Sequence, residues 1–408
     1  MILRRIGWAL WPKGILLAFV TAAAFTTASK EALAQSFFAT VVVDPSVGVD
    51  RGSAAQIQKL PDPTTFLTFD TYGAKDIGRS IASIGVVRPD LVMPGDQLDL
   101  VAVIAGPSAD GGEELLAGGF GYRFPLGDTG WTGFVQADHA NVTLGTEANL
   151  LLDAVGSRSA MTVGARRTNE LSNDAKLTFA VELGARQADG SILGTTVLDE
   201  EVRFLRASVL YEQGIPFLFQ RRFSAAVTKG FDGFGASPTF NPLATYPGAS
   251  TDFLRASASA EFSVPVSASL VVNAGVVGQW TSDSLPVSQR CGYGTNSYMR
   301  GFDLGYVSGD QCIGGRAEVA YNVELPSEGD ERLIFTQAYA GIDSGWLQNN
   351  ANALVPEVSD EWSSGSIGIR TIRGDFIGEI SATRIFDQPA GTVPQSRNRL
   401  WLRAAVRF

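Results

Sequence analysis

Histidine is almost missing from this chain. His139 is the sole example in 408 residues, and it has no cysteine nearby. Zinc sites built on histidine are thereby excluded, and Ser-His hydrolysis is disfavoured. His139 is expected to pack or to line an interior within a strand over 131–143. Phosphate chemistry has no footing either, because no glycine-rich loop follows any strand. Basic residues are outnumbered, with 32 Lys and Arg against 42 Asp and Glu, for a net charge of −10. So acidic a chain is a poor nucleic-acid binder. Long apolar runs are scarce as well. Outside the first 34 residues none approaches the ~18–20 residues of a membrane-spanning helix. The acidic triplet Asp199-Glu200-Glu201 reads as a solvated rim that holds divalent cations weakly at most. No enzyme, metal centre or cofactor is expected.

What is abundant points elsewhere. The chain is 45% hydrophobic, with 45 Gly and 24 Phe. Residues 1–34 have the layout of a secretory signal. Arg4, Arg5 and Lys13 precede a short apolar core over 14–25, and Ala32-Leu33-Ala34 precedes Gln35 as a cleavage site. Removing them takes away four basic residues and one acidic one, leaving a mature net charge of −13. An exported chain rich in glycine and aromatics, without a helical span, fits the bacterial outer membrane and its lipid bilayer. Residues 35–64 are too few for a domain. They are expected to form an N-terminal extension with a possible short helix or plug over 52–60, ended by Pro61-Asp62-Pro63.

From residue 65 to residue 408 the pattern is alternation. Sixteen runs can be marked, at 65–72, 78–90, 96–106, 115–124, 131–143, 155–168, 175–187, 197–211, 217–231, 251–264, 268–281, 314–325, 332–345, 361–373, 376–387 and 398–408. In the run 176–186, Leu177, Phe179, Val181, Leu183 and Ala185 oppose Lys176, Thr178, Ala180, Glu182, Gly184 and Arg186. Short connections such as 125–130 and 326–330 alternate with long ones at 232–250, 282–313 and 347–360. Hydrocarbon offers backbone groups no hydrogen-bond partner, so such strands must close on themselves. The expected fold is all-β, a transmembrane antiparallel barrel of about sixteen strands. That is wide enough to be a pore unless something fills it. The chain also stops on an alternating run. Leu400, Leu402, Ala404, Val406 and Phe408 share one face, with Phe408 as the barrel-closing terminus. This ending resembles the signal read by the outer-membrane assembly machinery.

The stretch 291–325 organises the rest. Cys291 to Ile313 has no apolar period and reads as a long loop. From Arg316 strict alternation returns, with Arg316, Glu318, Ala320, Asn322 and Glu324 on the charged face. Within the loop stands Ser297-Tyr-Met-Arg-Gly-Phe302, followed by Ser308-Gly-Asp310. This resembles the sixth-loop motif of the haemolysin secretion/activation proteins, the two-partner secretion (TpsB) transporters, whose tetrad is Val-Arg-Gly-Tyr/Phe. Arg300, Gly301 and Phe302 match it, with Met299 in the Val place. Gly314-Gly315 and then Glu324 resemble the following strand. Gly341-Ile-Asp343-Ser-Gly345 resembles the Phe-x-Asp-x-Gly motif of the strand after that, with Gly341 in the Phe place. Asp70-Thr-Tyr-Gly73, without the usual Asn, Pro94-Gly-Asp96-Gln-Leu98 and Gly121-Tyr-Arg-Phe-Pro125 fit the family's opening strands.

The resemblance implies that the sixth loop folds back into the lumen. There Arg300 would pair with Asp343 and Glu324 by charge-assisted hydrogen bonds and lock the loop. It implies passage of an unfolded polypeptide client through a charged lumen, drawn outward by folding outside the cell. Family members usually carry two periplasmic POTRA domains ahead of the barrel. Residues 35–64 cannot hold them, so delivery would fall to a separate periplasmic POTRA protein. The alternative is a gated diffusion pore or a surface-exposed protein. Cys291 and Cys312 flank the loop. In an oxidising compartment they are expected to form a disulfide at its base.

Overall fold

The computed structural model describes residues 63–74, 78–106, 114–145, 153–215, 219–294, 298–303, 307–323, 334–373, 375–388 and 395–408. The signal and most of the N-terminal extension expected from the sequence lie outside them, as do Glu324, residues 304–306 and the turn at 326–330.

Eighteen strands are present among the described residues. β1 to β6 are Thr64–Asp70, Ile81–Pro89, Gln97–Ala105, Leu115–Pro125, Trp131–Thr143 and Val155–Ser172. β7 to β11 are Ala175–Ile192, Thr195–Ile215, Phe219–Phe231, Leu254–Pro265 and Leu270–Thr281. Two short ones follow, β12 (Cys291–Tyr293) and β13 (Val307–Gly309). β14 to β18 are Gln311–Val323, Ile334–Asn349, Val358–Arg373, Phe376–Asp387 and Asn398–Arg407. Sixteen of them form a closed antiparallel barrel in chain order, in which β14 pairs with β11. β12 and β13 pair only with each other, inside the sixth long connection. Closure comes from β1 against β18, over Phe66↔Arg407 to Asp70↔Arg403. Phe408 completes it by exchanging backbone hydrogen bonds with Thr65, at 2.8 and 3.3 Å.

The alternation fixes which way each side chain points. Leu67, Phe120, Leu183, Ile342, Ile367 and Leu400 are exposed on the outer surface, and a lipid-facing wall needs this apolar skin. Their sequence neighbours face the lumen, and several are charged. Arg123 bonds Asp99 at 3.0 Å, and Arg206 pairs with Glu182 at 3.4 Å. β6, β7 and β8 run longer than the alternation predicts, to 18, 18 and 21 residues. Their extra length lies at the long-loop end. There the outward residues turn polar, as with Asp189 opposite Asp199 and Gln187 opposite Glu201. That part of the wall therefore stands clear of the apolar skin. His139 belongs to the same polar zone. It lies exposed on the outer face, hydrogen-bonded to Ser159 at 2.9 Å and Asn141 at 3.1 Å. The expectation of packing or lumen lining is corrected, because period 2 places residue 139 opposite to the inward Asp138.

Candidate functional site

The sixth long connection leaves β11 at Thr281 and does not stay outside. Its neck is built from β12 against β13 and from a disulfide joining Cys291 to Cys312 across 21 positions. Both cysteines are buried. Arg290 reinforces the neck. Its guanidinium lies 3.3 Å from Asp310 and 3.9 Å above the ring of Tyr246. The Asp310 carboxylate also accepts the amides of Leu285 and Asn350, at 2.9 and 2.8 Å.

Beyond the neck the loop makes a tight turn, with the Phe302 amide donating to the Met299 carbonyl at 3.0 Å. Met299 takes a left-handed φ of 63°, a conformation that costs a non-glycine residue on the order of 1 kcal/mol and needs support from its surroundings. That support is packing. Tyr298, Met299 and Phe302 are buried in one cluster with Val277, Leu347, Trp362 and Ile385 of the inner wall. Gly301 is pressed against the wall, where an added Cβ would lie 2.8 Å from Ser364 Cβ and 3.0 Å from Ile385. Tyr298 seats on another glycine, with its hydroxyl 2.6 Å from where a Cβ on Gly275 would be.

The turn presents Arg300 to the wall. Its guanidinium bonds Glu318 at 2.7 Å, and both side chains are more than nine-tenths buried. Arg370 of β16 takes the other Glu318 oxygen at 2.8 Å. Tyr339 lies between the two cations, 5.0 Å from Arg300 and 5.1 Å from Arg370. One carboxylate thus serves two guanidiniums that share one aromatic ring. Three residues further on, Asp303 pairs with Arg399 of β18. Gln395 bridges them, accepting from Arg399 at 2.7 Å and donating to Asp303 at 3.0 Å.

The residues singled out from sequence are therefore distributed as follows. Arg300, Gly301 and Phe302 are buried on the inner wall. Asp343 is buried there too, opposite Arg316 in the β14–β15 register. The hydrogen-bonded carboxylate partner of Arg300 is Glu318, which alternation places on the charged face but does not single out. The reason is depth. A loop entering from the long-loop end meets the middle of β14, whereas residue 324 follows that strand's far end. Gly341, in the place of the family's Phe, has its Cβ position 3.4 Å from Glu318, and the aromatic role passes to Tyr339. Gly345 seats Trp362, whose indole nitrogen lies 2.8 Å from where a Cβ would be. Gly314 and Gly315 lie in β14 opposite Gly345 and Ser344. Asp303, Arg370 and Arg399 escape sequence reasoning altogether. Their only signal is inward parity, which many residues share.

Around the mouth, Glu200 of β8 accepts the Thr245 amide and hydroxyl, at 3.0 and 2.7 Å. The same hydroxyl accepts the Val287 amide at 2.9 Å, tying the fifth long connection to the sixth. Burial raises the Glu200 carboxyl to about 7, against the opposing pull of the Thr245 hydrogen bonds. The group stands in the polar zone beyond the apolar skin. No cluster of three or more metal-ligating side chains occurs among the described residues.

Comparison with known proteins places this arrangement. The profile of the haemolysin secretion/activation protein family ShlB/FhaC/HecB matches residues 56–371. The outer membrane transporter CdiB of Escherichia coli is 29% identical over 187 residues, which is 44% of this chain and 29% of that relative. Among solved structures, CdiB from Escherichia coli superposes with a TM-score of 0.70 at 18% identity, covering 86% of this chain and 64% of the other. CdiB from Acinetobacter baumannii gives 0.67 at 17%, covering 86% and 61%. The chain thus spans less than two thirds of the length of these relatives.

Proposed function

This chain belongs to the haemolysin secretion/activation protein family, ShlB/FhaC/HecB, a family of transporters of the bacterial outer membrane, and we propose on that footing that it is a pore of the two-partner secretion type. In this reading the long-loop end is extracellular and the short turns are periplasmic. An unfolded polypeptide enters from the periplasm, passes through the charged lumen and folds outside the cell. A separate periplasmic POTRA protein supplies its delivery.

The sixth loop is the gate. The observation that carries this is the Arg300–Glu318 pair, which holds the loop turn against the inner wall at 2.7 Å. Glu318 keeps a second cation, Arg370, when Arg300 leaves. Releasing the loop therefore does not strand a naked carboxylate, and a reversible gate requires this. The Cys291–Cys312 disulfide anchors the neck so that only the turn needs to move.

Comparing culture supernatants of wild-type, deletion and Arg300→Ala strains tests the reading. A secreted polypeptide absent from the deletion strain and reduced in Arg300→Ala is expected. Identical supernatants from all three would overturn transport and favour a gated diffusion pore.

A further inference from the structure

Three charged side chains stand together on the lumen wall near the short-turn end of β3, β4 and β6. Arg123 is two residues from the end of β4. Asp99 is two residues into β3, and Arg166 lies opposite Thr132, the second residue of β5. Asp99 is already engaged, with one oxygen taking Arg123 at 3.0 Å and the other Gln97 at 2.6 Å. Arg166 is nine-tenths buried, at 9% exposure. Its Nη1 is buried with no hydrogen-bond partner among the described residues. The charged groups whose fields reach it are Arg123, which repels it, and Asp99, which attracts it. Two cations therefore share one carboxylate, and the group carries one uncompensated positive charge. A little further round the wall, Arg222 of β9 faces Glu212 at 3.6 Å and is internally balanced.

A buried guanidinium without a counter-charge is costly. Its planar fork matches a carboxylate in bidentate geometry. We propose that Arg166, with Arg123 beside it, is an anion-binding station at the periplasmic entrance of the lumen, taking carboxylate groups of the polypeptide in transit. This rests on the transport reading above and adds the chemistry that the entrance selects. The station holds one spare charge, so it captures an acidic side chain without retaining it. Conduction through a pore needs binding strong enough for entry and weak enough for exit.

The test uses the purified full chain in planar lipid bilayers. A tenfold KCl gradient reports ion preference, and poly-glutamate added on the periplasmic side reports block, with an uncharged Gly-Ser polypeptide as control. Open wild-type channels should prefer anions and be blocked by poly-glutamate alone. In Arg166→Gln the half-blocking concentration should rise about tenfold, the loss of one charge-assisted pair, and the anion preference should fall. Arg166→Lys keeps the charge and loses the fork, so it should retain the preference and weaken the block by a smaller factor. Unchanged block and preference in Arg166→Gln would overturn the proposal. A shifted preference with unchanged block would overturn the polypeptide assignment, because the station would then serve free small anions only. Neither readout requires a secreted client. A deletion strain that loses no secreted protein would thus count against transport without deciding this measurement.

Discussion

Asp303 of the sixth loop and Arg399 of the last strand form an ion pair in which both side chains are at least 96% buried, with exposures of 1% and 4%. Three barrel strands stand between Arg399 on β18 and Glu318 on β14, so the loop turn is stapled across a wide arc of wall. Arg399 also lies 5.4 Å above Trp401, whose ring stacks on Tyr72 at 4.9 Å, just past the end of β1. The loop, the last strand and the first strand are thereby in contact. Removing Arg399 leaves a buried carboxylate without its cation, which typically costs about 3–5 kcal/mol. Arg399→Ala is expected to raise amide hydrogen exchange across 298–303 by about two orders of magnitude or more. Exchange at the wild-type rate would show that this pair does not hold the loop.

Arg300→Ala should increase single-channel conductance or opening frequency, since the loop loses its bond to Glu318. Arg300→Lys should restore little. An ammonium offers neither the planar fork nor the flat face that the guanidinium brings near Tyr339. Glu318→Gln should act more strongly than Arg300→Ala, because it leaves Arg300 and Arg370 together without their shared carboxylate. Bilayer recordings of the three variants check the order, and wild-type traces throughout would refute the gate.

Free-thiol titration of the unreduced protein should find no reactive cysteine. Replacing Cys291 and Cys312 by serine removes a link across 21 positions, worth roughly 3 kcal/mol in the chain-entropy model. The thermal midpoint should fall and the neck should become protease-sensitive. Two titratable thiols in the native protein would contradict the bond.

The hold of Glu200 on the fifth connection should depend on pH. Its folded-state value of about 7 stands above the ordinary carboxyl value because burial opposes the charge. The folded state therefore keeps the proton over a range in which the unfolded state has lost it. This contribution to stability is fully present below the unfolded value of 4.5 and is lost as pH rises through about 7. Hydrogen exchange at Thr245 and Val287 should quicken between about pH 5 and about pH 7.5 and level off above. Glu200→Gln should flatten that profile, and a wild-type profile already flat would refute the assignment.

Asp96 illustrates how local rules shape the short-turn end. Burial opposes ionisation of this carboxyl, yet hydrogen bonds from the Tyr122 hydroxyl and from the amides of Met93, Val92 and Leu91 outweigh it and hold the group at about 2. The turn stays pinned across the physiological range, where Asp96 is ionised.

How much of this is legible in residue order follows from the physics of each feature. Period-2 alternation is a local property, and hydrocarbon enforces it on every strand. The sixteen staves, their outward faces and the loop among them can therefore be read along the chain. So can the Arg-Gly-Phe turn, because its motif is contiguous. What residue order leaves open is which inward carboxylate meets Arg300. That depends on strand tilt, on how deep the loop enters, and on the room left by Gly341. Residues of β14, β15 and β16 close around Arg300 because the closed wall brings them together, and no spacing along the chain encodes that. Asp303 with Arg399, and Arg166 beside Asp99, are settled the same way. Alternation states only that a side chain faces inward, and closure of the barrel decides whom it faces there.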